Sequence, residues 1–436
     1  MELIDRILSA QNLTQACKEV MRNKGAAGID GMSVNELKTY LDTNRTPLTE
    51  QIRAGNYIPQ PIRGKEIPKS NGKKRLLGIP TVIDRMLQQA VARVIMPKYE
   101  YMFSEYSYGF RPEHNQHQAI RKALEYINSG YQDIVDIDLK GFFDEVDHVL
   151  LLELLYRTIK CKETMRLIRR WLRVPIWQNG VLVKRRKGVP QGSPLSPLLS
   201  NIMLHELDKE MERKGLRFVR YADDFSIYCQ SKAEARKVGN EIYVFLRDKL
   251  KLPINREKSG IRRPSNFYIL GYGFVPTYKK GEKGKYQLVV EAKRWETFKA
   301  KLKEITRKTA PLSFDQRMHK LQELHRGWIN YFRFASIYEK LHTLDGWLRN
   351  RIRYCIWHDW KKPERKRKNL IRLGVPPERA YAFSRSRKGG WAIAQSPILG
   401  TTVTVARLVK RGYEALTTYF LKVSPHYQSS PLFPIV

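Results

Sequence analysis

Apolar positions recur at helical spacing over residues 1–22, 83–102, 147–172, 197–214 and 232–250, which predicts an amphipathic helix in each. Ser33, with Glu36 three residues on, has the form of a capping box and starts a further helix over 33–41. Residues 133–139, 181–189, 217–229 and 267–275 read as strands, because β-branched and aromatic residues crowd there. Residues 57–82 read as short strands around a hairpin turn at "SNGKK". This order of strands and helices predicts an α+β domain, not a repeating βαβ array. After residue 286 the texture changes, and 293–308 and 314–335 become basic helices carrying aromatics on one side.

Two stretches break the pattern with acids. In "VDIDL" (135–139), Asp136 and Asp138 alternate with Val135, Ile137 and Leu139, so a strand there places both carboxylates on one face. In "RFVRYADDFSIYC" (217–229), Asp223 and Asp224 stand between two apolar runs. Taken alone, that pair fits a solvated hairpin tip as well as a pair of ligands for hard divalent cations.

Charge tips the balance. The chain carries 80 Lys+Arg against 43 Asp+Glu, yet six acids and one lysine fall between Asp133 and Asp147. Repelling carboxylates on one face are costly unless neutralised, and Mg²⁺ prefers carboxylate oxygens. Two carboxylates on separate strands, holding two Mg²⁺ ions, are what in-line phosphoryl transfer at a nucleotide requires. The net charge of +37 points to a polyanionic partner. No apolar run has membrane-spanning length, and residues 1–20 form a mixed-charge amphipathic segment, unlike a signal peptide. Cys17, Cys161, Cys229 and Cys355 lie far apart, which argues against a zinc knuckle or disulfide scaffold and for a reducing, cytosolic compartment.

At this point a resemblance becomes specific. "YADD" (221–224) resembles the Y-x-D-D box of reverse transcriptases, and "DIDLKGFFDEVDH" (136–148) their first catalytic box. "GVPQGSPLSPLLSNIML" (188–204) is similar to the P-Q-G-x-x-x-S-P-L-L box of the group II intron-encoded reverse transcriptase/maturases, of the compact, endonuclease-free bacterial class. "IPKSNGKKRLLGIPTVIDR" (67–85), "SYGFRP" (107–112), "NREKS" (255–259), "LGYGF" (270–274) and "RGWINYF" (326–332) follow in the family's order, and "NKGAAGIDG" (23–31) resembles its N-terminal extension.

The resemblance implies a right-hand polymerase: an N-terminal extension over 1–60, fingers and palm over 61–285, a helical thumb or maturase domain over 286–365, and a small basic DNA-binding domain over 366–436. It makes Asp138 and Asp223 the principal metal ligands, with the Leu139 carbonyl completing one coordination sphere and Asp224 in support. The cofactor would be two Mg²⁺ ions, with Mn²⁺ as a substitute. Phe143 takes the place of the bulky side chain under the incoming sugar, favouring deoxynucleotides. Lys69 and Arg75 flank the turn and would hold the triphosphate. Gln191 would contact the nucleotide and template side, Gly192 would permit close backbone approach, and Lys258 would sit near the pyrophosphate. Gly141 and Phe142 would offer backbone N–H groups to the phosphates. Lys73 and Lys74 read as turn-tip charges, solvated or touching template, Asp136 as structural or as a support behind the metal ligands, and Asp144 as a helix cap. "YILGYGF" (268–274) would be a primer grip. Trp328, Tyr331 and Phe332 read as thumb core. The stretch 349–388, with 14 Lys/Arg and 3 Asp/Glu, reads as a phosphate-contacting surface.

The expected partners are intron RNA, an RNA template with its DNA primer, dNTPs and target DNA, with no membrane. The chain stops without the paired cysteines of an H-N-H endonuclease, so target-site cleavage is not expected of it. Two rival readings share these motifs: a host-adopted polymerase for repair or defence, and a splicing cofactor with vestigial catalysis. Intact Asp138, Asp223, Asp224, Lys69 and Arg75 speak against the second.

Overall fold

The computed structural model describes residues 2–68, 72, 74–278 and 283–425. Two compact units divide the chain, Met1–Phe267 and Tyr268–Val436. The division falls at the start of the "YILGYGF" segment (268–274), which lies in the second unit.

In the first unit the strands, in chain order, are β1 (Ile62–Pro68), β2 (Lys74–Ile79), β3 (Asp133–Ile137), β4 (Ile176–Gln178), β5 (Val181–Val183), β6 (Arg217–Tyr221), β7 (Asp224–Cys229) and β8 (Gly260–Arg262). They form two four-stranded sheets, β2-β1-β4-β5 and β6-β7-β3-β8. The second sheet is antiparallel throughout, with β3 between β7 and β8. Because β3 is central, both of its faces are covered: Ile134, Val135 and Ile137 are all buried. Asp136 escapes the cost of that position by pairing with Arg262 on β8, Nε to Oδ2 at 2.7 Å.

One continuous apolar core runs from the N-terminal helices through Val82–Glu100 and Ser196–Arg213 to β3 and β7. The expected N-terminal extension is therefore built into this unit. Its single predicted helix is two, Leu3–Leu8 and Ala10–Arg22. Ser9 between them is extended; its Oγ accepts from Asn12 N–H and donates to the Arg6 carbonyl. The predicted 147–172 helix likewise breaks into His148–Ile159 and Lys162–Arg173, where Lys160 turns left-handed (φ +45°). Of the predicted 181–189 strand only Val181–Val183 forms a ladder, and Lys187 makes a single bridge to Asp147. Beyond it, Gly188 and Val189 donate their N–H groups to the Val146 and Phe143 carbonyls, each at 2.7 Å.

The second unit has strands β9 (Tyr268–Ile269), β10 (Tyr272–Pro276) and β11 (Tyr286–Val290) in the order β11-β10-β9, followed by helices. Phe298 and Trp328 stack at 4.3 Å with Phe332 beside them at 4.7 Å, giving the aromatic core expected of Trp328 and Phe332. Asp345 is fully buried and accepts from Tyr413 Oη, the Leu416 and Thr417 N–H groups and Thr417 Oγ1 at 2.8–3.0 Å. It ties the last described helix, Leu416–Val423, to Tyr338–Asp359. Among the described residues no helix is long and apolar enough to cross a membrane.

Candidate active site

Strand register assembles the acids. Ile137 on β3 pairs with Phe225 on β7, so Asp138 leaves β3 where Asp224 enters β7. The β6–β7 hairpin closes on the Tyr221–Asp224 pair with Ala222 and Asp223 as its two loop residues. Ala222 takes the left-handed conformation (φ +59°) that such a tight hairpin needs at its first loop position. The hairpin tip and the carboxylate pair are thus one feature.

Beyond Asp138 the chain pairs with a different partner. Leu139 bridges Ile254, the Lys140 N–H donates to the Pro253 carbonyl at 2.9 Å, and the Asn255 N–H donates to the Asp138 carbonyl at 2.8 Å. Ser259 Oγ accepts the Asp138 N–H at 3.0 Å and donates to the Asn255 carbonyl at 2.8 Å. The "NREKS" loop therefore braces the Asp138 backbone, and Lys258 Nζ reaches within 3.6 Å of Asp138 Oδ2.

Across the opening, Arg75 on β2 donates through Nε to the Gln191 side chain. The Gly78 N–H donates to the Gln191 carbonyl at 2.8 Å, which fastens the Pro-Gln-Gly turn to β2. Phe143 is buried, edge-on to Phe142 at 5.4 Å, and its carbonyl accepts the Val189 N–H at 2.7 Å. One cleft of about 1000 Å³ is lined by Arg75, Asp138, Leu139, Gly141, Phe142, Phe143, Gln191, Asp223, Asp224 and Lys258. A second cavity, about 990 Å³, shares Arg75, Phe143, Gln191 and Lys258 with it and extends to Asn23 and Gly25 of the N-terminal loop.

Lys69 and Lys73 lie outside the described residues. Lys74 lines the cleft and pairs with Glu66 at 2.5 Å. Gly192 does approach the β2 backbone closely. Asp144 is not the cap of the next helix: His148–Ile159 is capped by Asp147, whose Oδ1 accepts from the Val149 and Leu150 N–H groups. Sequence reasoning misses Arg220, whose guanidinium reaches the Ala222 carbonyl. The signal was available, because strand alternation puts Arg220 on the face of buried Phe218, where a charge requires a partner.

The site is electrostatically incomplete. Desolvation in the cleft raises the Asp224 pKa to about 6, with Asp223, Asp138 and Asp136 adding their repulsion. Burial also raises Asp223, where Asp138 adds to the effect and Arg75 opposes it. Among the described residues no group of three or more His, Cys, Asp or Glu converges to hold a metal ion unaided. A few carboxylates short of a full cage fit Mg²⁺, which takes one or two carboxylates plus substrate phosphates and water.

Residues 67–274 match the family "Reverse transcriptase (RNA-dependent DNA polymerase)", and residues 295–374 match "Group II intron, maturase-specific domain". Protein YkfC of Escherichia coli (strain K12) is 32% identical, the match covering 63% of this chain and 82% of that protein. The group II intron-encoded protein LtrA of Lactococcus lactis subsp. cremoris is also 32% identical, over 59% of this chain and 54% of its own length, so this chain spans about half of it. A chain of the solved "Partial Cas6-RT-Cas1--Cas2 complex" is 26% identical with a TM-score of 0.37, covering 57% of this chain and 43% of that one.

Proposed function

The chain belongs to the group II intron-encoded reverse transcriptases, and we propose that it copies RNA into DNA at the Asp138–Asp223–Asp224 cleft and binds intron RNA as a maturase. The family fold is the right-hand polymerase, and its members use divalent metal ions. The observation that carries the reading is the cleft itself, which Arg75, Asp138, Leu139, Gly141, Phe142, Phe143, Gln191, Asp223, Asp224 and Lys258 line together. Asp138 and Asp223, with Asp224 beside them, would hold two Mg²⁺ ions, which when bound supply activation of the primer hydroxyl and neutralisation of the pyrophosphate. Arg75 is positioned to bind the triphosphate by its guanidinium, and Lys258 faces the phosphate side from beside Asp138. Gln191 orients Arg75. Phe143, which lines the same cleft, would form the floor that a 2′-hydroxyl strikes. The adjoining cavity offers a path for the template.

Primer extension on an RNA template tests this, comparing native protein with Asp223→Asn and Phe143→Ala. Asp223→Asn should lose roughly 10²-fold or more in kcat; equal activity would sink the ligand assignment. Phe143→Ala should extend with ribonucleotides more readily than native, and unchanged sugar selectivity would move the gate elsewhere. The maturase role is read in the same preparations by splicing of the intron RNA, which Asp223→Asn should leave intact if RNA binding is independent of polymerisation.

A further inference from the structure

Arg220 stands one residue before the hairpin pair Tyr221–Asp224, and its side chain is completely enclosed. Two parallel bonds join it to Asp208, Nε to Oδ1 at 2.7 Å and Nη2 to Oδ2 at 2.5 Å, and neither side chain is exposed. Replacing a buried pair of this kind by apolar residues of similar volume is commonly neutral or stabilising. Fold stability alone therefore does not account for it.

The remaining arm of the guanidinium does something an apolar pair cannot. Nη1 donates to the Ala222 carbonyl at 2.9 Å and to Asn201 Oδ1 at 3.0 Å. Asn201 Nδ2 in turn donates to the Gly109 carbonyl at 2.9 Å. Gly109 lies so close to the turn that a Cβ there would stand 2.2 Å from the Ala222 nitrogen. The contacts form a closed ring: Arg220, Asn201, Gly109, Ala222 and back to Arg220. Main-chain bonds seat it further, since the Tyr108 N–H donates to the Arg220 carbonyl at 2.8 Å and the Arg220 N–H donates to the Tyr106 carbonyl at 2.9 Å. Ala222, the left-handed member of the ring, contributes the carbonyl of the peptide linking it to Asp223.

We infer that Arg220, anchored by Asp208 and Asn201, is a positioning residue for polymerisation, fixing the Ala222–Asp223 peptide and so the direction in which Asp223 and Asp224 face the metal ions. It touches neither substrate nor metal and acts through the turn. The inference rests on the polymerase reading of the cleft.

Two variants of the full chain test it. Arg220→Met combined with Asp208→Leu removes both charges together, leaving none stranded in the core. Arg220→Lys keeps a cation beside Asp208 but lacks the planar fork that also reaches Ala222. Each is measured by thermal unfolding and by primer extension on an RNA template across a Mg²⁺ series. Both should unfold cooperatively near the native temperature. The Mg²⁺ concentration for half-maximal extension should rise, and kcat should fall, by roughly 10-fold or more, as outer partners of metal ligands typically cost. The KM for dNTP should move far less. A folded variant with native Mg²⁺ midpoint and native kcat overturns the positioning role, and Arg220→Lys carries that decision if the double variant does not fold. Inactive native protein overturns the polymerase reading and this role together, whereas active native protein with indifferent variants overturns this role alone.

Discussion

Asp224 shows how a single side chain reports on the site. It is exposed to the cleft, yet surrounding protein and three neighbouring aspartates raise its pKa from 3.8 to about 6. A carboxyl with a raised folded-state pKa binds its proton more tightly in the native than in the unfolded chain. Stability then falls as pH rises between the two values, and the cost is fully present above the higher one. In metal-free buffer, native protein should thus lose thermal stability relative to Asp224→Asn as pH climbs from about 4 to about 7. Added Mg²⁺ should restore it at the upper end, where the carboxylates are ionised and can bind. Unfolding temperatures for the two proteins that run parallel across this range, with no Mg²⁺ response, would remove the electrostatic argument for a cation site. Asp136 carries the same lesson in reverse: it is also raised by burial, but Arg262 answers its charge, and it plays a structural part.

At the scale of elements, the loop from Gly188 to Ser193 joins parts of the cleft that no sheet connects. It donates to the Phe143 and Val146 carbonyls at one end and accepts from the Gly78 N–H through Gln191 at the other. Gly192 makes the second contact possible, with φ +113° and a Cβ that would stand 2.6 Å from the Gly78 carbonyl oxygen. Gly192→Ala should destabilise by about 1–3 kcal/mol and raise the KM for dNTP by loosening Gln191 from Arg75; denaturant midpoints and KM values matching native would show that the strap has slack. Such contacts mark where the sequence stops being legible. Helices at 197–214 and 232–250, and the hairpin of β6 and β7, follow from local periodicity and appear as Ser196–Arg213, Lys232–Asp248 and the Tyr221–Asp224 turn. The motif resemblance singled out Asp138, Asp223 and Gln191, and the fold brings all three to one cleft. The parallel pairing of β1 with β4 is a different matter, since their partners Ile62 and Ile176 lie far apart along the chain. The Arg220–Asp208 pair needs a helix and a strand to be docked before either charge has a partner, and periodicity says only that Arg220 faces inward. The breaks at Ser9 and Lys160 are single-residue backbone events inside continuous apolar patterns, which a period cannot register.

For the whole molecule the dominant quantity is the net charge of +37, far beyond what one nucleotide cleft would use. A chain this basic should bind RNA largely by displacing counterions, so its affinity falls linearly with salt on logarithmic axes. Part of that charge is concentrated in the second unit, on helices Tyr338–Asp359 and Pro363–Arg372, within the 349–388 stretch of 14 Lys/Arg and 3 Asp/Glu. Lys361, Lys362, Arg365 and Lys368 are exposed there, while buried Leu370 and Asp345 hold the packing. Replacing these four cations by Gln should leave thermal unfolding unchanged, because exposed charges contribute little to folding. It should reduce the salt slope of intron RNA binding by about 3, since each phosphate contact contributes about 0.7–0.9. Primer extension under saturating primer–template should keep its native kcat, because none of the four lines the catalytic cleft. A filter-binding titration of the full chain between about 50 and 200 mM salt, where such proteins lose several decades of affinity, measures the slope directly. An unchanged slope would place the RNA on another face of the molecule, whereas a lower slope with kcat preserved would separate RNA anchoring from chemistry.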